Sequence, residues 1–345
     1  MKAKITQPIR QREVLQEAIP LKAPYYICLD VSSVCNIVCN YCVQFDLSQT
    51  NNRNFCKQIM TLELAKKAID DLKEFDKNIK VLTLYGWGEP LLNPHIADII
   101  AYSRQSGKVN STETITNGIL LTPDMSDKLI NAGLQRINIS VQAMSGEGYE
   151  KACGRKIDFE RYVENIRYLY EHKSNDLIMY VKIGDLALQN ESEKQLFYDT
   201  FGDICDEIYV EHIINVRDDM LSNDNIGRTH THGVFGQKLQ GNRICPYLFF
   251  RLFICPDGIC ALCNADFYRQ QPVGDITKQS LKEIWFGEEL HRIQMTHLKG
   301  TREDIDVCSL CGNVKYYPNP ADNLDSYASD LILRMRNGGY HGNEI

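Results

Sequence analysis

Thirteen cysteines in a chain of 345 residues are the first chemistry the sequence offers. The densest group is Cys35-Asn-Ile-Val-Cys39-Asn-Tyr-Cys42. Three thiolates this close on one loop can each hold an iron of a 4Fe–4S cube, and the fourth iron then lacks a protein ligand. An open position is where a metal centre binds a reactant, whereas a fully ligated centre is structural. Spacing alone also allows zinc, with a distant residue completing the site. Cys245, Cys255, Cys260, Cys263, Cys308 and Cys311 form a second, looser group. Four of them would suffice for a fully ligated cube or for a zinc ribbon. Cys28, Cys56, Cys153 and Cys205 stand alone and read as packed thiols.

The rest of the composition says where such chemistry would take place. The formal charge is −7, with 43% apolar and 24% charged residues. That is a globular balance. It lacks the basic footprint of a nucleic-acid binder. No apolar run approaches the ~18 residues of a membrane span, and the N-terminus has no signal-peptide core. A cytoplasmic protein without a membrane partner is expected. In that reducing compartment the cysteines point to metal or redox work rather than to a disulfide framework.

Elements to position these thiols can be read along the chain. Residues 1–24 read as an arm or first helix. Apolar, β-rich runs follow at 25–31, 80–86, 109–116, 136–142, 178–184 and 207–214. Helical patterns lie between them. Leu62, Ala65, Ile69, Leu72 and Phe75 share one face, Asn93-Pro94 and Thr122-Pro123 read as helix starts, and 158–172 is amphipathic. Strands alternating with helices imply a parallel sheet, and six repeats suit a partial (β/α)6 TIM-type barrel within residues 25–215. Chemistry in such folds collects at the C-terminal strand ends. Residues 216–244 are polar and read as a linker or active-site loop. A small cysteine-rich domain is expected over 245–317, with a Pro256-Asp257-Gly258 turn between two strands and a capping box at Ser280 and Glu283. A tail, 318–345, closes the chain, with a helix expected at 325–336.

The first cysteine group follows the first strand directly, and in that place it resembles the radical S-adenosylmethionine (radical SAM) superfamily. Tyr85-Gly86-Trp87-Gly88-Glu89-Pro90, at the end of the second strand, resembles the family's GGEP segment, with Trp87 in place of its first glycine. The resemblance covers about residues 25–215. It implies that Cys35, Cys39 and Cys42 ligate a 4Fe–4S cluster that binds S-adenosylmethionine, and that Gly86, Gly88 and Glu89 take the methionine amino group. It places Tyr41 against the adenine and aligns Thr116-Asn117-Gly118 with the family's TNG. Ser140 and Gln142 stand where the family contacts the carboxylate and ribose, and Arg155 or Lys182 would pair with the carboxylate. It also implies the chemistry. One electron from the cluster breaks a carbon–sulfur bond of the cofactor, and the 5′-deoxyadenosyl radical formed abstracts hydrogen from a substrate. Flavodoxin or ferredoxin is the implied electron donor.

The downstream cysteines resemble the superfamily's SPASM or Twitch extension, from Cys245-Pro246 through Asp257-Gly258 and Gly274-Asp275 to Cys308-Ser-Leu-Cys311. The resemblance implies a second, auxiliary 4Fe–4S cluster on Cys245, Cys263, Cys308 and Cys311, with Cys260 and Cys255 as alternates. Among the lone thiols, Cys153 is the candidate hydrogen donor were the enzyme an epimerase. His212, His230 and His232, with Arg217 and Arg228, are candidate substrate contacts. Only about 24 residues precede the first strand, too few for the peptide-recognition domain common among peptide-modifying relatives. One-cluster relatives include a dehydrogenase of an aminocyclitol. The expected substrate is therefore a polar, sugar-like small molecule undergoing dehydrogenation, epimerisation or dehydration, with a peptide or protein as the alternative. A zinc-stabilised binding protein is the alternative from another class.

Overall fold

The computed structural model describes residues 1–6, 13–49, 55–226, 230–239, 241–316 and 319–337. Its strands are β1 (Lys4–Ile5), β2 (Tyr26–Leu29), β3 (Ile79–Leu84), β4 (Val109–Thr116), β5 (Arg136–Val141), β6 (Ile178–Gly184), β7 (Glu207–Glu211), β8 (Arg251–Ile254), β9 (Ile259–Ala261) and β10 (Pro272–Asp275). They form one sheet in the order β1-β7-β6-β5-β4-β3-β2-β8-β9-β10. From β2 to β7 every neighbouring pair is parallel and consecutive, as βαβ crossovers require. These six strands are the expected partial barrel.

Capping starts the intervening helices. The Thr61 side chain accepts from Leu64 N at the head of helix Leu62–Asp71, which buries Ala65, Ala68 and Ile69. Thr122 caps helix Pro123–Asn131 with proline in its first turn, and Asp158 caps helix Phe159–His172. Asn93-Pro94 leads into helix Ile96–Gln105: Asn93 Oδ1 accepts from His95 N at 2.9 Å and its carbonyl from Ile96 N at 3.1 Å, while its side-chain amide donates to the carbonyls of Val31 and Met60, at 2.9 and 3.0 Å.

Alternation along the strands divides the sheet into two faces. Ile137, Ile139 and Val141 of β5 and Met179, Val181 and Ile183 of β6 bury in one core with Ile166, Leu169 and Phe197 of the covering helices. The opposite face carries Arg136, Asn138, Ser140, Tyr180, Lys182, Glu207 and Glu211, brought into line by the β5–β6 and β6–β7 registers.

Two connections depart from the expected division into arm, barrel and module. The N-terminal arm supplies β1, parallel to β7 at the far edge. β8, the first strand of the cysteine-rich region, pairs in parallel with β2, Tyr26 opposite Arg251 and Leu29 opposite Ile254. The region thus extends the barrel sheet itself. Its β8–β9 pairing is antiparallel around the expected Pro256-Asp257-Gly258 turn, and the capping box at Ser280 and Glu283 is formed. The tail carries helix Ala328–Asn337, while residues 317–318 and 338–345 lie outside the described residues. Among the described residues no helix is long and apolar enough to cross a membrane.

Candidate functional site

The loop after β2 carries Cys35, Cys39 and Cys42, and three elements pin it from below. Backbone N–H groups of Val38 and Asn40 donate to the carbonyls of Cys153 and Ala152, at 3.0 Å each, at the end of helix Gly146–Cys153. Arg155 Nη1 donates to the Asn36 carbonyl at 3.2 Å. Glu89 N donates to the Val34 carbonyl at 2.8 Å. The last contact explains the glycines beside it. A side chain on Gly88 would run into the backbone carbonyls of Ser32 and Val34, and one on Gly86 into Asp30. Both glycines let the segment after β3 press against the cysteine loop.

Glu89 is buried and accepts three hydrogen bonds. Its Oε1 accepts from Thr116 Oγ1 at 2.6 Å and Leu91 N at 3.0 Å, and its Oε2 from Asn117 N at 2.8 Å. Asn117 Nδ2 continues the chain to Asn36 Oδ1 at 2.7 Å. Thr116 and Asn117 therefore hold the carboxylate between the cysteine loop and β4. Burial still outweighs these donors and lifts the Glu89 carboxyl to about 7. The same cause pushes the Cys35 thiol up to about 12, with Glu89 adding to it.

The other expected residues fall around this centre. The Tyr41 hydroxyl donates to Gln142 Oε1, whose amide donates to the Ser140 carbonyl at 3.0 Å. Ser140 lies beside Lys182, and Lys182 Nζ pairs with Glu211 Oε2 at 2.7 Å. Arg155 sits on the cysteine loop, apart from Lys182. Cys153 Sγ is 3.7 Å from Cys39 Sγ and buried, a place beneath the loop rather than across a cavity from it. Trp87 turns away from the glycines. It packs against Phe55, Phe253 and Phe267 and donates to the Asn264 carbonyl at 2.8 Å, bolting the end of β3 to the cysteine-rich region.

Within that region one cavity is lined by Cys245, Cys263, Cys308 and Cys311, together with His297 and Arg302. Cys260 lies outside it, buried in β9 opposite Ile254 and Gly274. Cys255 lies near Asp30, Asp257 and Cys56. Burial raises all four lining thiols, Cys245 and Cys311 to about 11 and Cys263 to about 12. It holds the His297 imidazole down to about 4, in its neutral form. Nothing in the sequence marked His297 or Arg302, whose only signal is their place beside the lining thiols. His212, just after β7, has its Nδ1 2.6 Å from Asp185 Oδ2, and in the linker His230 Nε2 contacts Asn215 and His232 is exposed. Arg217 is buried against Asp219 and the Ala265 carbonyl, and Arg228 lies outside the described residues.

The partial barrel thus places three thiols after its first strand and joins them to a four-thiol cavity. Residues 29–196 match the model of the radical SAM superfamily, and residues 245–312 match the iron–sulfur cluster-binding SPASM domain. The protein thus carries a radical SAM domain followed by a SPASM module. The AdoMet-dependent heme synthase of Methanosarcina barkeri is 31% identical over 147 residues, 43% of this chain and 39% of that protein, so the chain spans well under half of this curated relative. The crystal structure of BtrN in complex with AdoMet and 2-DOIA superposes with a TM-score of 0.55 at 18% identity, covering 85% of this chain and 95% of that one. Streptococcus suis SuiB bound to precursor peptide SuiA does so with a TM-score of 0.61 at 13% identity, covering 90% and 78%. At these identities the likeness is one of fold.

The family implies S-adenosylmethionine with a 4Fe–4S cluster, and the module implies auxiliary iron–sulfur. The donor sets fit. A cube takes one thiolate per iron, so its ligands stand apart around a shared space. Four thiols around one cavity meet that demand, Cys35, Cys39 and Cys42 lie near enough on one loop to act on one another electrostatically, and no three His, Cys, Asp or Glu side chains among the described residues converge on a single-ion position.

Proposed function

We propose that the protein is a radical SAM enzyme acting on a polar, sugar-like small molecule, by dehydrogenation, epimerisation or dehydration. In this reading Cys35, Cys39 and Cys42 hold the cluster that binds S-adenosylmethionine, and Cys245, Cys263, Cys308 and Cys311 hold one auxiliary cluster. When bound, the cofactor supplies a 5′-deoxyadenosyl radical that abstracts hydrogen from the substrate. Glu89, gripped by Thr116 and Asn117, is the acceptor for the cofactor's amino group. Tyr41, Ser140, Gln142 and Arg155 surround its remaining groups.

One observation carries the substrate class. Toward the C-terminal strand ends, the sheet face turned away from the helices holds the Lys182–Glu211 ion pair, with the Tyr180 hydroxyl donating to Glu211 at 3.0 Å. Such a surface offers hydrogen bonds to hydroxyl and amino groups and little to an apolar ligand. Modification of a peptide is the second reading, supported by the fold shared with the peptide-bound SuiB. A flavodoxin or ferredoxin is the electron donor in either case.

The test is 5′-deoxyadenosine formation by anaerobically reconstituted protein with dithionite and S-adenosylmethionine. The Cys39→Ala variant is expected to fall to background while keeping its auxiliary absorbance. Undiminished cleavage in that variant would sink the assignment. Deuterium transfer from labelled polyols into the 5′-deoxyadenosine supports the small-molecule reading, and transfer from labelled peptides alone replaces it.

A further inference from the structure

The four-thiol cavity contains a group that the proposed reaction does not use. His297 lies in helix Glu288–Leu298 and is 1% exposed. Its Nδ1 stands 3.3 Å from the backbone nitrogen of Cys245, and its Nε2 stands 3.4 Å from Cys308 Sγ. A backbone amide can only donate, so Nδ1 is the acceptor. A neutral ring then carries its single proton on Nε2, the nitrogen that faces sulfur. Arg302 fixes the other side of the contact, donating from Nη1 to the Cys308 carbonyl at 2.8 Å. Both partners of the N–H and sulfur pair are held from outside it.

We propose that His297 is a positioning residue for the auxiliary cluster, donating an N–H···S hydrogen bond to Cys308 that raises the cluster's reduction potential. The proposal rests on the reading that Cys245, Cys263, Cys308 and Cys311 hold that cluster. Reduction adds one electron to the cluster and its thiolates, and the imidazole proton stays on Nε2. A donor aimed at a ligand sulfur stabilises the more negative state by more than it stabilises the oxidised one. Hydrogen bonds to sulfur are among the levers that set iron–sulfur potentials, and a buried site strengthens them. The effect makes the cluster a better acceptor for an electron leaving the substrate.

The experiment uses the full chain with Cys35→Ala, Cys39→Ala and Cys42→Ala, loaded anaerobically with iron and sulfide. The remaining cluster is titrated with dithionite and followed by EPR. His297→Phe is expected to lower the reduction equilibrium constant about tenfold, a shift of about 59 mV for one electron. His297→Gln, which keeps an N–H donor, is expected to recover most of that shift at equal iron content. An unchanged midpoint in His297→Phe with iron bound overturns the proposal. Where His297→Phe does not retain iron, the native side chain decides. With ¹⁵N-labelled histidine, pulsed EPR of the reduced cluster is expected to show a nitrogen coupling and a proton coupling that vanishes in D2O, and their absence overturns the proposal. A parent that binds no iron at the four cysteines overturns the underlying reading instead, a result distinct from bound iron with an unmoved potential.

Discussion

The two cysteine groups share a fold and differ in electrostatic surroundings. Around the first, the charges acting most on the thiols are Glu89 on Cys35 and Asp46 on Cys42, while Cys39 feels Cys153. Around the second, arginines intervene. Arg251 and Arg302 draw Cys245 down, Arg251 acts on Cys263, Arg302 on Cys308, and Arg302 and Arg217 on Cys311. Net charge around a cluster sets how readily it takes an electron. Were each group to hold its cluster, the arginines beside the second would favour an added electron there by more than the carboxylates beside the first.

The largest expected effect tests whether the second group is the set we name. Cys263→Ala is expected to remove about four irons, one cube's worth, and Cys260→Ala none, by iron assay on reconstituted protein. The reverse outcome would move the site to the hairpin strand. Next comes the contact between the two regions. Trp87→Ala removes a side chain packed on three aromatic rings and is expected to cost about 3–5 kcal/mol in urea denaturation. A cost below 1 kcal/mol would show that the bolt carries little. The smallest effect concerns the acid beside the first group. Burial lifts Glu89 to about 7. A carboxyl raised in the folded chain favours folding below its ordinary range and loses that favour as pH climbs through 7. The stability of cluster-free protein relative to Glu89→Gln is therefore expected to fall by about 2 kcal/mol between pH 5 and 7. A flat difference would mean that Glu89 is already ionised at pH 5.

Local pattern made most of the barrel legible. The edges of β4 and β6 fall where their apolar runs begin and end, and Thr122, Asp158 and Ser280 cap helices as their side-chain chemistry dictates. What escaped depends on distant partners. β1 is two residues long and exists through β7. Asn93 accepts from His95 N as a cap does, but its side-chain amide also ties two remote carbonyls, which its sequence neighbours do not announce. Trp87 read as a departure from a glycine motif because its aromatic partners come from residues 55, 253 and 267. Cys260 and Cys263 are near neighbours in the sequence. Only the strand pairing that buries Cys260 in β9 separates it from the cavity that Cys263 lines.

The parallel pairing of β2 with β8 also sets a timetable for synthesis. β2 leads into the loop with the first three cysteines, yet one of its two edges stays open until Ile254 has left the ribosome. Until then the nascent barrel presents an unpaired strand, the feature most prone to wrong partners. A chain cut before β8 would keep every residue of the first cysteine group and still lack the neighbour of the strand beneath it. Swapping SPASM modules between relatives therefore exchanges a strand of the barrel along with the second group of thiols.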